Sequence, residues 1–479
     1  MVSRGYSSQI LKIMLIICFA FVVRFLYIIY VVPIDWIGDS YHHWQISLYT
    51  LQIGTLRGRL WDLKGVEYYW PPLPSLLEAF TMNLFGDTSI IFIRLLNSLS
   101  GSICVYLSYL IGSRINDGSG VSATLILLFF PFTLNTEVLG LHEPIMGLFF
   151  LIGLLSFLSK KKFHAGVFFG LSYLCHFSVY LTVPVLLVAI LWRDRKIENV
   201  FPFFIGFCLV YLPYSFILKL HTGDWFYNIR SLMTYMNIST DNMNHPLAKI
   251  FGLVLVAAGV IIFMNVRKKK CSSLEPLSNQ ILLGCYMFFW GILFTFNWAP
   301  LSPYELRYYW IPLTLSIICL DVYVKRTCVN IRIDQRCIHL SVIFGIISLM
   351  LLLMFSPVFS KLQDQILFDF NAADRISNYY NNGTIISPVP GMTYRLINHW
   401  NIAPKNILGP IYCPIEQNQK NQWLLENNVT IIFWLPDMEA DRVFPELSDG
   451  VSAAPFILLE SLGYDRYIYT FFHEYDKRE

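Results

Sequence analysis

The chain has 479 residues, of which 55% are hydrophobic and only 14% charged, whereas soluble proteins carry about a quarter charged residues. Its mean hydropathy is +0.52, and its formal net charge of +3 is too small to suit a nucleic-acid binder. These values exclude a soluble globular domain and predict a polytopic α-helical membrane protein, with aromatic residues supplying interfacial belts.

Apolar runs able to span a hydrocarbon core of about 30 Å lie near 10–32, 89–113, 120–139, 143–159, 163–176, 177–192, 199–219, 247–266, 279–298, 306–324 and 337–358. About eleven transmembrane helices are therefore expected, with 163–192 read as two short spans joined by a turn near His176. With that division these basic clusters all fall on one side: Arg4, Lys12, Arg114, Lys160 to Lys162, Arg193, Arg195, Lys196, Arg267 to Lys270, Lys325, Arg326, Arg332 and Arg336. The positive-inside rule makes that side cytoplasmic. The N-terminus is then cytoplasmic, and the first loop, 33–88, and everything beyond about 359 are external. The first run is too long for a signal-peptide core and has no small-residue cleavage site, so it is expected to be retained.

The first loop opens with Ile37-Gly38-Asp39-Ser40-Tyr41-His42-His43-Trp44, a carboxylate, two imidazoles and two aromatic rings directly after an apolar run. Transfer of a group to a hydroxyl needs a base to take the acceptor proton, and Asp39 is the candidate. The competing reading is a helix N-cap, since Asp39 precedes a plausible helix through Tyr49. His42 and His43 diverge by about 100° on a helix, so the two imidazoles do not share one target. His43, with His142 and Glu143 at another external helix end, is a candidate ligand set for a divalent cation; the competing reading is interfacial histidines. No cofactor is otherwise indicated. Later in the loop, Arg57, Arg59 and Lys64 are basic, and Tyr68, Tyr69 and Trp70 are candidate linings of a substrate cleft, as are Glu143 and Tyr308. Arg94 lies inside an apolar span near its external end, where such residues face a bundle or cavity. Arg307 opens a span among aromatic rings, placed either to grip a phosphate or to snorkel to headgroups. Arg307, Arg94, Arg57 and Arg59 are the candidate donor-phosphate ligands.

Of the ten cysteines only Cys413 is assigned to the external domain, so no disulfide framework is implied. No zinc spacing, Walker loop or GxGxxG pattern appears. The tail is polar, with β-like runs at 384–386, 429–434 and 467–472 and helical stretches at 391–399 and 419–426. It reads as a small C-terminal extracytoplasmic α/β domain, giving domains at 1–358 and 359–479.

The order of several motifs carries a resemblance. Gly38-Asp39 in the first loop is followed by Tyr69-Trp70-Pro71-Pro72-Leu73-Pro74, then Phe85-Gly86-Asp87-Thr88 leading to Ile93-Arg94-Leu95-Leu96-Asn97, then His142-Glu143-Pro144, and late in the chain Arg307-Tyr308 with Ile311-Pro312. In this order the chain resembles the GT-C glycosyltransferases of the protein O-mannosyltransferase and lipid A aminoarabinose transferase type (glycosyltransferase family 39-like). The resemblance implies a GT-C-like fold, Asp39 as general base, and a polyprenyl- or dolichyl-phosphate sugar as donor. The chemistry would take place on the extracytoplasmic face, with a hydroxyl acceptor on a glycan, lipid or protein and a mannosyltransferase-like activity. The chain departs from the pattern at Ser40, where an acidic residue often follows. The membrane implied is a prokaryotic cell membrane, or the ER membrane in a eukaryote. The rival reading is a transporter or flippase of a lipid-linked or amphipathic substrate; it predicts internal repeats and midplane charges, and no repeat is visible.

Overall fold

In the computed structural model the described residues are 2–53, 60–62, 65–67, 70–115, 120–176, 179, 198, 200–231, 253, 256, 259–260, 310–311, 313–315, 317–318, 321, 333–436, 439–452, 454–463 and 465–471. The chain divides into two compact units. One holds residues 1–33, 68–74 and 94–358; the other holds 34–67, 75–93 and 359–479. The partition differs from a simple cut near 359, because most of the first loop belongs with the tail.

In the first unit, α1 (Val2–Tyr30), α4 (Ile90–Ile115) and α9 (Phe201–Thr222) are, among the described residues, the three helices long and apolar enough to cross a membrane as single spans. The span expected at 120–139 is broken: α5 (Val121–Phe129) and α6 (Pro131–Val138) meet at 61°. The cause is local. Phe130 precedes a proline, which disfavours the helical conformation, and it is extended at φ −70° and ψ 120°. The run at 143–159 is the 16-residue α7 (Glu143–Leu158), and 163–176 is the shorter α8 (Lys162–Tyr173). The spans expected at 177–192, 247–266, 279–298 and 306–324 lie wholly or largely outside the described residues.

α8 and α9 pack through small residues. A Cβ on Gly166 would lie 2.0 Å from the Phe203 carbonyl oxygen, and one on Gly206 would lie 2.3 Å from that of Phe163. Reciprocal glycines let two backbones approach where apolar surface alone gives no drive to associate.

In the second unit, α2 (Gly38–Ile53) and α3 (Leu73–Phe85, from Ser75 onward) are not among the candidate spans. β1 (Leu60–Asp62) and β2 (Gly65–Glu67) form an antiparallel ribbon. α10 (Ile333–Tyr379) runs 47 residues without a break and enters this unit at 359. It leads to a five-stranded sheet of order β4-β3-β5-β7-β6. β3 (Thr384–Ile386) pairs in parallel with β4 (Ile407–Leu408) and β5 (Val429–Trp434). β7 (Arg466–Phe471) runs antiparallel to β5 and to β6 (Phe456–Gly463).

Both faces of the sheet are covered. Ile431 and Phe433 of β5 point to one core with Ile376 of α10 and Met392 and Leu396 of α11 (Pro390–Asn398). Ile432 and Trp434 point to the other, with Leu424 of α12 (Gln417–Glu426) and Val443 of α13 (Glu439–Val443). The two-residue alternation of a strand places neighbours on opposite faces, which explains why β5 reads as an unbroken apolar run over 431–434.

Candidate active site

In the second unit, the loop before α2 is set by Asp35, whose side chain is buried. Its Oδ1 accepts the Ile37 amide at 3.1 Å, and its carbonyl accepts the Tyr41 hydroxyl at 3.0 Å. α2 starts at Gly38, so Asp39 sits inside the first turn rather than at a cap ahead of it. A carboxylate there meets the positive end of the helix. Asp39 is half-buried, while every residue from His43 to Thr50 is buried.

One flank of α2 is aromatic. Tyr41 and Trp44 lie against Tyr394 of α11, with ring centroids 5.2 and 4.9 Å apart, and Trp44 donates its indole N–H to the Thr88 carbonyl at 2.6 Å. The other flank carries His43 and Ser47. The Ser47 hydroxyl lies 2.6 Å from Glu78 Oε2 on α3 and 2.9 Å from the His43 carbonyl oxygen. Of the His pair, His43 turns inward and is buried, and His42 stays half-buried. Glu78 is fully buried, and that burial pushes its carboxyl up to about 7 against the pull of the Ser47 hydrogen bond.

The first unit brings together a second group of expected residues. Trp70 lies 6.1 Å from the His142 ring and 5.8 Å from the His176 ring, centroid to centroid. The segment after Trp70 is pinned by the Leu73 amide, which donates to the Leu174 carbonyl at 2.9 Å. His142 and Glu143 start α7, and both are buried.

The backbone just before His142 is not helical, and its carbonyls need partners within a largely apolar unit. Arg94 and Asn97, one turn apart on α4, supply them. Arg94 Nε donates to the Val138 carbonyl at 2.8 Å, Nη1 to that of Pro33 at 3.1 Å, and Nη2 to that of Val32. Asn97 Nδ2 donates to the carbonyls of Leu139 and Leu141, each at 2.7 Å. Arg94 was expected as a phosphate ligand. Its buried guanidinium is directed at three backbone carbonyls, an arrangement that clamps the link between α6 and α7.

Below that clamp, Glu137 of α6 accepts the Arg24 guanidinium, with Nε at 2.9 Å, and the Trp310 indole N–H at 3.1 Å. Arg57, Arg59, Lys64, Tyr68, Tyr69, Arg307 and Tyr308 lie outside the described residues. Among the described residues, no group of three or more His, Cys, Asp or Glu side chains is placed to hold a metal ion. Of the candidate metal ligands, His142 and Glu143 belong to the first unit and His43 to the second.

Sequence reasoning missed Asp35, Asn97, Glu78 and Glu137. Asp35 had a readable signal as an aspartate able to accept the amide two residues on in an Asx turn. Asn97 stood in the quoted Arg94–Asn97 motif, and its role follows once the motif is seen to face a break in the next span. Glu78 and Glu137 each look in sequence like a lone acid in an apolar helix.

These features make up a fold that the chain shares with solved membrane proteins, and one stretch of the chain matches a family model. Residues 70–217 match the model of the dolichyl-phosphate-mannose-protein mannosyltransferase family. The chain is similar in fold to ArnT from Cupriavidus metallidurans bound to undecaprenyl phosphate, with a TM-score of 0.55, 12% identity, and coverage of 96% of this chain and 98% of that one. It is also similar to the Archaeoglobus fulgidus oligosaccharyltransferase tethered to an acceptor peptide containing the NVT sequon, with a TM-score of 0.54, 11% identity, and coverage of 97% and 74%. The archaeal oligosaccharyltransferase AglB from Archaeoglobus fulgidus, in complex with an inhibitory peptide and a dolichol-phosphate, gives a TM-score of 0.51 at 10% identity, covering 88% of this chain and 69% of that one. No curated protein matches the chain by sequence.

Proposed function

We propose that the protein transfers a sugar from a polyprenyl- or dolichyl-phosphate donor to a hydroxyl acceptor on the extracytoplasmic face of its membrane. The observation that carries the reading is Asp39, a half-buried carboxylate in the first turn of a helix that is buried from His43 to Thr50. The family match over 70–217 and the lipid phosphates bound by two of the structural neighbours support the choice of donor.

The reaction is an inverting displacement. The acceptor oxygen forms a bond to the anomeric carbon as the bond from that carbon to the phosphate oxygen breaks. The acceptor proton passes to Asp39, and the polyprenyl phosphate leaves with the bonding pair. A fixed carboxylate suits this step because a base must lie within hydrogen-bond reach of the proton it takes. Arg307, with Arg57 and Arg59, holds the donor phosphate, since guanidinium groups grip phosphate oxygens in pairs. Tyr68, Tyr69, Trp70, Glu143 and Tyr308 contact sugar or acceptor. Arg94 acts one step back, by shaping the backbone that presents His142 and Glu143.

The test is incubation of purified protein with a panel of polyprenyl-phosphate sugars, with sugar transfer or release as the readout. Asp39→Asn is expected to fold and to lose at least about a hundredfold in rate, the usual contribution of a general base. A folded Asp39→Asn protein with wild-type turnover refutes the assignment. Vectorial movement of intact lipid without sugar release would instead identify a flippase.

A further inference from the structure

Asp39, His43 and Ser47 follow one another at four-residue intervals, a spacing that lines them along one flank of α2. Glu78 meets this stripe from α3 through Ser47, and Glu78 and Ser47 are both fully buried. A serine hydroxyl carries one proton, yet Ser47 Oγ has two acceptors within reach, Glu78 Oε2 at 2.6 Å and the His43 carbonyl oxygen at 2.9 Å. Short of sharing that one proton in a three-centre bond, both contacts are full hydrogen bonds at once only when Glu78 carries a proton of its own. The carboxyl O–H then donates to Ser47 Oγ, and Ser47 donates to His43. An ionised Glu78 would claim the serine proton and leave two oxygens facing each other on the His43 side.

We infer that Glu78 works as a protonated carboxylic acid, a positioning residue whose neutral side chain docks α2 on α3 and thereby holds Asp39 in place for transfer. The inference rests on the proposed role of Asp39. Burial favours the same neutral form, since an ionised carboxylate is costly away from water. Because burial raises the carboxyl to about 7, the dock weakens as the pH climbs past neutrality.

The other titratable groups on these elements are few. His43 and Asp39 lie on the same flank of α2, which also carries Tyr41, His42 and Tyr49, and α3 carries no second one; α10, whose Phe370 ring lies 5.9 Å from that of Tyr41, carries the buried Asp369. α11, which packs on α2, carries Arg395, which is paired to Asp374 at 2.9 Å. β1, also packed on α2, has Asp62 in its sequence.

The experiment is a pH profile of sugar transfer by the full-length protein, using the polyprenyl-phosphate sugar panel, for wild type, Glu78→Gln, Glu78→Ala and Ser47→Ala. Glutamine keeps the shape and the donor of a protonated acid but does not ionise. Wild-type rate is expected to fall by up to about tenfold per pH unit above neutrality, as loss of a single proton requires. Glu78→Gln should match wild type at pH 6 and lack that decline, while Glu78→Ala and Ser47→Ala should be slow at every pH. A Glu78→Gln profile that declines like wild type, or a Glu78→Gln protein as slow as Glu78→Ala, overturns the inference. If no donor is turned over, or Asp39→Asn is fully active, the proposed function fails separately. The dock is then read from melting temperature: wild type should lose stability relative to Glu78→Gln between pH 5 and pH 8, and parallel curves refute it.

Discussion

Arg24 of α1 and Glu137 of α6, 113 positions apart, form a fully buried ion pair, and the same carboxylate also takes the indole N–H of Trp310. Breaking one side of such a pair leaves an uncompensated charge and costs about 3–5 kcal/mol. Arg24→Ala or Glu137→Ala is therefore expected to lower the melting temperature of detergent-solubilised protein sharply. An apolar pair of similar volume, Arg24→Met with Glu137→Leu, should recover much of the loss. The chain also leaves room for this side chain at Gly101, where an added Cβ would lie 2.6 Å from Glu137 Cδ. Single variants that melt like wild type would show that the pair contributes nothing to stability.

The clamp formed by Arg94 sets it apart from the residues proposed to hold the donor phosphate. Three donors aimed at the carbonyls of Val32, Pro33 and Val138 need a planar fork, which an ammonium does not reproduce. Arg94→Lys should lower stability and kcat while leaving the donor KM within about twofold, since a loss confined to orientation leaves donor binding in place. Arg307→Lys should do the reverse, raising donor KM with little change in melting temperature. A large rise in donor KM for Arg94→Lys would return Arg94 to the phosphate site.

Trp70 is braced by two imidazoles, and His176 was not expected to take part. His176→Ala should reduce turnover through Trp70. Its effect should therefore be smaller than that of Trp70→Ala, and the double variant should be no slower than about threefold below Trp70→Ala, because residues acting through one contact are not additive. Fully multiplicative rates in the cycle would show that the two side chains act independently.

Asp369 offers a pH test in the second unit. Burial pushes its carboxyl up to about 7, opposed by Arg466, whose guanidinium nitrogen lies 3.5 Å away. A carboxyl with a folded pKa above its ordinary value binds more protons folded than unfolded. Its stabilising contribution is complete below about pH 4 and is lost as the pH rises to about 7. Asp369→Asn does not titrate, so it should gain melting temperature relative to wild type between pH 5 and pH 8. A gap that stays constant across that range contradicts the assignment.

Among the described residues, helices α1, α4 and α9 were legible because apolar run length is a strong signal. The break at Phe130 was not drawn from sequence, although Pro131 supplies its cause; the run from Leu125 to Phe132 is apolar throughout and hides a change of direction. In the tail, β3, β5 and β7 stood out as β-branched and aromatic runs. β4 is two residues long, and β6 is interrupted by Glu460 and Ser461, so neither gave a periodic pattern.

The sequence by itself determined that this is a membrane protein, placed Asp39 after the first span, and ordered the motifs that point to a GT-C-type fold, because hydropathy and motif order are properties of the chain alone. Only the tertiary structure decided which polar groups share a partner. It turned His43 inward and His42 partly outward, joined Ser47 to Glu78 across two helices, and spent Arg94 on backbone carbonyls. Those outcomes depend on contacts between residues far apart in the chain, where the cost of a buried unpaired polar group selects the partner, and no local pattern records that choice.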